Sequence, residues 1–212
     1  AAALRALHAE GVREARVLPL YPQYSTTTTQ AVADVIATHA EGMQVTLLHD
    51  YHVDPGWIAA VAASIRAHWQ AQGRGERLLL SFHGLPQRVV DAGDPYARQC
   101  EASAQAIAAA LGMPGDEILL AYQSRFGKGK WLQPDVVEVL QRLARTGVRK
   151  LDVACPGFAV DCLETLEEIA MQDAGLFRAA GGETLCYIPC LNAADAHADA
   201  LAALACNDEA WR

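Results

Sequence analysis

Short apolar runs alternate along the chain with longer amphipathic stretches, several of them rich in alanine. The run at residues 78–82, LLLSF, is typical of a buried strand, and the glycine and proline that follow it predict a turn. The same patterns predict strands at residues 15–20, 44–48, 77–82, 117–122, 149–153 and 184–187. They predict helices at residues 1–10, 27–40, 55–71, 94–111, 134–146, 160–173 and 192–206.

This alternation of helix and strand predicts an α/β fold. The connections are too long for hairpins, so we expect right-handed crossovers and mostly parallel sheets. One shift in composition indicates a domain boundary, the glycine-containing polar segment QAQGRGER at residues 70–77. The chain opens inside an amphipathic helix without an initiator methionine, so we expect that upstream sequence is absent from it.

Composition restricts the class of protein. The 212 residues are 52% hydrophobic and 20% charged, as in soluble globular proteins. A net charge of -8 without a basic stripe argues against a nucleic-acid partner. Six scattered cysteines without a secretion signal favour a reducing, cytoplasmic location. The apolar stretches are too short to span a membrane, whereas peripheral membrane contact is left open.

In open parallel sheets, ligands bind beyond the carboxyl ends of the strands, so residues directly after strands are the candidate site residues. His83 follows the predicted strand at residues 77–82. A histidine there can be a general base, a metal ligand or a hydrogen-bonded structural residue, and this position alone does not decide between them.

A second strand end is followed by a row of acids in the segment CPGFAVDCLETLEEI. Asp161, Glu164 and Glu168 have i, i+3, i+7 spacing, which would align their side chains on one helical face. The alternative is ordinary helix-start chemistry, because acids are favoured in a first turn and Asp161 with Glu164 resembles a capping box. For Asp161 alone, that alternative is favoured.

A third strand end carries cationic and aromatic groups in the segment YQSRFGKGKWLQPD. Arg125, Lys128, Lys130 and Trp131 could hold a flat anionic ligand, or form a solvated loop anchored by a buried tryptophan. The chain has no hydrolase elbow, dinucleotide fingerprint or Walker motif. Cys186 and Cys190 form only a lone C-x-x-x-C pair, which is weak evidence for a metal.

Five segments, LYPQYS, SFHGLPQR, GDPY, QSRFGKGKWLQP and CPGFAVDCLETLEEI, together resemble the ferrochelatases, which insert ferrous iron into porphyrin in the last step of haem biosynthesis. The resemblance runs in order from about Val17 to Leu204 and is closest to the proteobacterial enzymes. It implies two Rossmann-like, chelatase-type domains with a porphyrin cleft between them. Residues 1–75 would then be part of an incomplete first domain, residues 76–189 the second domain, and residues 190–212 a helix that returns to the first.

The resemblance also implies a site. His83 would be the active-site histidine and Glu164 the facing carboxylate, both catalytic and both metal-binding. Asp161 and Glu168 would belong to a polar path for protons or metal, and Tyr21, Trp131 and Phe158 would line the porphyrin cleft. Such a site makes chemical sense, because insertion needs a proton acceptor for the pyrrole nitrogens and ligands that hold iron loosely.

The implied substrates are protoporphyrin IX and Fe²⁺, with no permanently bound cofactor. We expect no iron–sulfur cluster, because Thr26 stands where cluster-bearing relatives have a cysteine and no cysteine-rich extension follows. Cys162 stands where several relatives have histidine, which puts metal ligation there in doubt. Two alternatives remain: a chelatase for another porphyrin or metal, and a non-catalytic porphyrin- or haem-binding fragment.

Overall fold

The computed structural model describes residues 1–115 and 117–211, in which helices and strands alternate. The strands are β1 (Glu14–Val17), β2 (Gln44–Leu47), β3 (Arg77–His83), β4 (Ile118–Gln123), β5 (Lys150–Ala154) and β6 (Thr184–Ile188). The α-helices are α1 (Ala2–Ala9), α2 (Thr29–His39), α3 (Pro55–Gln72), α4 (Gln87–Asp91), α5 (Tyr96–Leu111), α6 (Val136–Arg145), α7 (Ala174–Ala179) and α8 (Asp195–Cys206). A π-helix covers Glu164–Asp173, and a 3₁₀ turn covers Asp208–Trp211.

The strands form two parallel sheets, as the alternation predicted. The smaller sheet pairs β1 with β2, and the larger one has the order β4-β3-β5-β6. Every pair in both sheets is parallel. The α/β class and the parallel pairing are therefore confirmed.

Strand β3 lies inside the larger sheet and is buried on both faces. Leu78, Leu80 and Phe82 pack on one face in a cluster that includes residues of α3 and α5. Leu79 packs on the other face with residues of α6, the π-helix and α7. Burial on both faces explains why this strand is a continuous apolar run rather than an alternating one.

Two helices begin directly after an aspartate whose side chain caps the helix. Asp54 accepts a hydrogen bond from the backbone N–H of Trp57 at 2.9 Å, and a proline occupies the first position of α3. Asp135 accepts from the N–H of Val137 at 2.9 Å at the start of α6. Helix α5 ends at Gly112, whose φ of 69° is the left-handed conformation that glycine adopts without strain.

The last helix, α8, packs on α3, and the chain after it returns to the smaller sheet. The Arg16 guanidinium of β1 donates to the carbonyl oxygen of Ala205 at 2.9 Å and lies over the Trp211 ring, 5.4 Å from its centroid. The division into residues 1–75, 76–189 and 190–212 stays a prediction. No helix in the described ranges is long and apolar enough to cross a bilayer.

Two predicted elements differ from the observed ones, and one short helix was not predicted. The strand predicted at residues 15–20 ends at Val17, because Pro19 has no N–H to donate to a sheet. The short helix α4 was not predicted. The helix predicted at residues 160–173 begins only after Asp161, is a π-helix from Glu164, and runs on through α7 to Ala179.

Candidate functional site

A largely apolar cleft of about 470 Å³ opens at the carboxyl end of β3, between the loops that follow β1 and β5. Its volume is in the range of small-molecule and cofactor sites. Among the lining residues are Tyr21, His83, Leu85, Phe158, Val160 and Cys162. Three of the predicted site residues, Tyr21, His83 and Phe158, are therefore brought together in one cleft.

His83 is the last residue of β3, and its ring is held in a defined orientation. Its Nδ1 lies 2.7 Å from the carbonyl oxygen of Gly84. A carbonyl oxygen can only accept, so Nδ1 carries the proton and the neutral ring has its lone pair on Nε2. The ring centroid lies 6.3 Å from that of Phe158 and 6.4 Å from that of Phe126. The cleft therefore contains one imidazole nitrogen that can accept a proton or bind a metal.

Glu164 begins the π-helix and is not among the residues that line the cleft with His83; it lines a groove with Glu168. Its carbonyl oxygen accepts a hydrogen bond from Nε2 of Gln123 at 2.7 Å, which ties the start of the helix to the end of β4. The Cys162 thiol, the helix backbone and the His83 imidazole together lower the pKa of the Glu164 carboxyl. Burial and the Glu164 carboxylate raise the pKa of the Cys162 thiol. At neutral pH, Glu164 is thus an anion and Cys162 a protonated thiol.

Glu168 is held by a residue with an unusual backbone conformation. Ser124 donates to its carboxylate from the backbone N–H at 2.6 Å and from the hydroxyl at 2.5 Å. Ser124 has a φ of 62°, which is uncommon for a residue other than glycine. This conformation at the end of β4 directs both donors at one carboxylate. A positive φ in a residue other than glycine is a form of local strain that is often found at functional sites.

Asp161 does not share a helical face with Glu164 and Glu168, so this prediction is wrong. It precedes the helix and does not cap it. Its carboxylate accepts from the Tyr187 hydroxyl at 2.6 Å, the Asn192 amide at 2.7 Å and the Cys190 N–H at 3.0 Å. Burial raises its pKa, but these hydrogen bonds outweigh burial and hold the pKa below its usual value. Asp161 thus joins the loop after β5 to the loop after β6.

Trp131 lies outside the cleft, in an adjoining groove that also contains Arg88, Lys128 and Lys130. Residue 131 pairs with Pro86 in an isolated antiparallel bridge, which holds the loop against the segment after His83. Arg125 is not in this groove and lies near Asp135, with 3.9 Å between the charged atoms.

Phe126, which the sequence argument did not single out, lies between the cleft and this groove. Its ring centroid is 6.4 Å from those of both His83 and Trp131, and its side chain is 64% exposed. Its place between Arg125 and Lys128 in a basic, glycine-containing loop was the available signal in the sequence.

Asp173 is a second residue that the sequence argument missed. Its side chain is 3% exposed, and its Oδ2 has no hydrogen-bond partner among the described residues. Burial and the nearby Glu168 and Asp135 raise its pKa to about 7. It lines a groove with Glu164 and Glu168. Because π-helical hydrogen bonds join residues five apart, positions 164, 168 and 173 share a face that α-helical spacing does not predict.

Comparison with known proteins gives a family match over nearly the whole chain. The family model "Ferrochelatase" matches residues 1–209. The ferrochelatase of Xanthomonas axonopodis pv. citri is 59% identical over 202 residues, which cover 94% of this chain and 63% of that protein. The ferrochelatase of Vibrio cholerae is 47% identical, with 95% and 64% covered. The chain thus spans a little under two thirds of the length of these relatives.

Solved structures with similar folds include chelatases. SirB from Bacillus subtilis, solved with Fe³⁺, superposes with a TM-score of 0.64 at 13% identity, covering 97% of this chain and 77% of that one. CbiX, described as the terminal enzyme of siroheme biosynthesis in denitrifying bacteria, has a TM-score of 0.54 at 18% identity, with 90% and 75% covered. At such low identity, these structures support the predicted chelatase-type fold and nothing further.

Proposed function

The chain belongs to the ferrochelatase family, and we propose that the whole protein inserts ferrous iron into protoporphyrin IX to form protohaem. One observation carries the proposal: the His83 imidazole lines an apolar cleft, and the Glu164 carboxylate, which lines a groove with Glu168, is close enough for His83 to lower its pKa. Insertion replaces two pyrrole N–H protons with one Fe²⁺ ion, so it needs a proton acceptor and a weak metal-binding group at the same place.

His83 accepts the pyrrole protons in this proposal. The hydrogen bond from Nδ1 to the Gly84 carbonyl leaves the Nε2 lone pair as the free basic position. A neutral imidazole with a free lone pair can accept a proton and pass it on. The carbonyl partner also stabilises the imidazolium that forms, because Nδ1 continues to donate to it.

Glu164 holds the incoming ion opposite the histidine. Its lowered pKa keeps it anionic at neutral pH, and an anion next to an imidazole is a suitable partial ligand set for Fe²⁺. With only these two protein ligands, the ion is not enclosed and can transfer to the four porphyrin nitrogens. Cys162 acts beside them as a neutral thiol that donates to the Glu164 carboxylate rather than as a metal ligand.

Glu168 continues the polar path from Glu164 along the π-helix, and we propose that protons leave or metal enters along it. Asp161 was expected on the same path, but both of its carboxylate oxygens already accept hydrogen bonds. Its contacts favour a positioning role in the cleft wall that carries Phe158.

Tyr21 and Phe158 supply apolar surface for the macrocycle. The cationic groove beside Trp131, with Lys128 and Lys130, suits the two propionate carboxylates at the rim of protoporphyrin. The part of the relatives' length that this chain does not span would complete the cleft on its open side. We also propose a cytoplasmic protein without an iron–sulfur cluster, in which Thr26 donates to Asp94 instead of a cysteine binding iron. Peripheral membrane contact stays a prediction.

Zinc insertion into protoporphyrin by the full-length protein tests the proposal, since zinc does not oxidise and zinc porphyrin is fluorescent. We expect His83→Ala and Glu164→Gln to lower the insertion rate by about 10²- to 10⁴-fold while protoporphyrin still binds. His39→Ala and Glu183→Gln replace exposed residues of the same types and should retain the rate of the unaltered protein.

Two results would count against this function. Near-normal insertion by His83→Ala, with an unchanged circular dichroism spectrum, would remove the histidine from the mechanism. Porphyrin binding without any zinc insertion by the unaltered full-length protein would favour the non-catalytic binding role instead.

A further inference from the structure

A second cluster of metal-binding side chains lies away from the cleft, between α3 and the larger sheet. It consists of His68, Asp152 and Cys186, whose ligand atoms all lie within 4.8 Å of one another. Asp152 and Cys186 are register partners on the adjacent strands β5 and β6, so their side chains are directed to the same face of the sheet. His68 reaches that face from α3.

Two polar atoms of this cluster are buried without a hydrogen-bond partner among the described residues. Asp152 is fully buried at 0% exposure, and its Oδ1 is unpaired. Nε2 of His68 is also buried and unpaired. An unpaired buried polar group costs about 1–3 kcal/mol. Two such atoms next to a free thiol, all facing one another, indicate that something binds between them.

The other carboxylate oxygen of Asp152 is firmly held. Its Oδ2 accepts from Nε1 of Trp69 and from the N–H of Gly75, both at 2.7 Å. These two bonds orient the carboxylate so that Oδ1 remains available, an arrangement typical of the outer partners of metal ligands. A Cβ at Gly75 would lie 2.9 Å from the Asp152 carboxyl, so the close approach of this loop requires glycine.

Lys150, the cation two residues before Asp152 on β5, does not neutralise the Asp152 carboxylate through an ion pair. Nζ of Lys150 donates to the carbonyl oxygens of Gln72 and Gly73, at 2.9 and 2.8 Å, and so closes the end of α3. The carboxylate, the thiol and the imidazole therefore remain available as one group of ligands.

We propose that His68, Asp152 and Cys186 bind a divalent cation of the zinc class, with a water molecule in the fourth position. Zinc takes imidazole, carboxylate and thiolate ligands at about 2.0–2.3 Å, which places tetrahedral ligand atoms roughly 3.3–3.8 Å apart. Side-chain rotation can close the remaining gap from the observed separations. On binding, the Cys186 thiol releases its proton to solvent, which the half-buried position of Cys186 permits.

This site is distinct from the one that carries the proposed reaction. Asp152 lies in the middle of β5, whereas His83 is at the carboxyl end of β3. An ion here would join α3 to strands β5 and β6, three segments that are far apart in the sequence. Its effect is therefore on the stability of the packing between α3 and the larger sheet rather than on proton transfer.

Cobalt binding tests the site, because a thiolate ligand gives Co²⁺ a sulfur-to-metal charge-transfer band. The experiment uses the full-length protein carrying His83→Ala, which weakens metal binding in the cleft. We expect one equivalent of Co²⁺ to be bound with this band. Adding Cys186→Ser should abolish both the charge-transfer band and the binding of this Co²⁺ ion. The control Cys206→Ser replaces an exposed thiol outside the cluster and should retain the band and the bound ion.

Two further variants keep the test informative if Cys186→Ser does not fold. His68→Gln should remove the tight Co²⁺ equivalent, and Trp69→Phe should weaken binding by about 10- to 100-fold through the loss of an outer partner. Zinc should raise the Tm of the parent but not of Cys186→Ser. A parent without the band, or a band that survives in Cys186→Ser, overturns the proposal. No porphyrin is involved, so these results are independent of the proposed function.

Discussion

Replacing Asp173 by asparagine should stabilise the protein in alkaline solution much more than in acid. Burial near Glu168 and Asp135 raises the pKa of Asp173 from 3.8 to about 7 in the folded protein. In the unfolded chain, this carboxyl titrates at its ordinary value. The folded state therefore binds more protons between these pH values, and the stability that the group contributes is complete in acid and lost as the pH rises through about 7.

The size of this change in stability follows from the shift in the pKa of Asp173. About three pKa units, at ~1.4 kcal/mol each, correspond to a cost of up to about 4 kcal/mol for the ionised form. Asparagine has nearly the same shape and never ionises, so it avoids this cost. Part of the cost is already present at mildly acidic pH, so we expect the gain from Asp173→Asn to be about 2–3 kcal/mol larger near pH 8 than near pH 5.

Urea denaturation of the full-length protein and the variant, at both pH values, measures this difference. Glu167→Gln is the matched control, because it removes an exposed carboxylate from the same helix and should show no such dependence. The argument that burial of the ionised Asp173 carboxylate destabilises the protein would be refuted by either of two results. One is an equal gain in the free energy of unfolding at the two pH values, and the other is a variant less stable than the unaltered protein near pH 8.

Two further substitutions test the surroundings of the cleft. Asp94 accepts hydrogen bonds from Ser25 at 3.0 Å, from the Thr26 N–H at 2.7 Å and from the Tyr96 N–H at 2.9 Å. Asp94→Ala should therefore lower the free energy of unfolding by about 2–5 kcal/mol in urea titrations, and a loss below ~1 kcal/mol would contradict this. Phe158→Ala should weaken protoporphyrin binding about tenfold or more, since burying a phenylalanine contributes roughly 1.5–3 kcal/mol; unchanged affinity in a fluorescence titration would remove Phe158 from the porphyrin-contacting surface.

Much of the fold could be predicted because its signals are local. The LLLSF run identified β3 and placed His83 at its carboxyl end, and the amphipathic stretches identified helices such as α3 and α5. These features depend on the residues within one strand or one turn. The helix after β5 was predicted as a regular α-helix because α-helical spacing was assumed. Its start accepts a hydrogen bond from Gln123 of β4, 41 residues earlier in the chain, which α-helical spacing does not take into account.

The candidate site, too, could be predicted from the sequence only in part. The sequence indicated His83, Glu164, Phe158 and Tyr21, but it aligned Asp161 with the wrong partners and did not single out Asp173. Asp161 is directed by Tyr187 and Asn192, which follow it by more than twenty residues. No periodicity contains that information.

By itself, the sequence determined the alternation of elements, the parallel sheets and the position of the histidine at a strand end, because apolar runs and helix caps act over a few residues. Only the tertiary structure decided which carboxylates lie together, which oxygen remains unpaired, and that His68, Asp152 and Cys186 converge from three segments. The physical reason is that burial and electrostatic interactions depend on neighbours in space. A carboxyl group has its ordinary pKa until folding removes its water and brings other charges close.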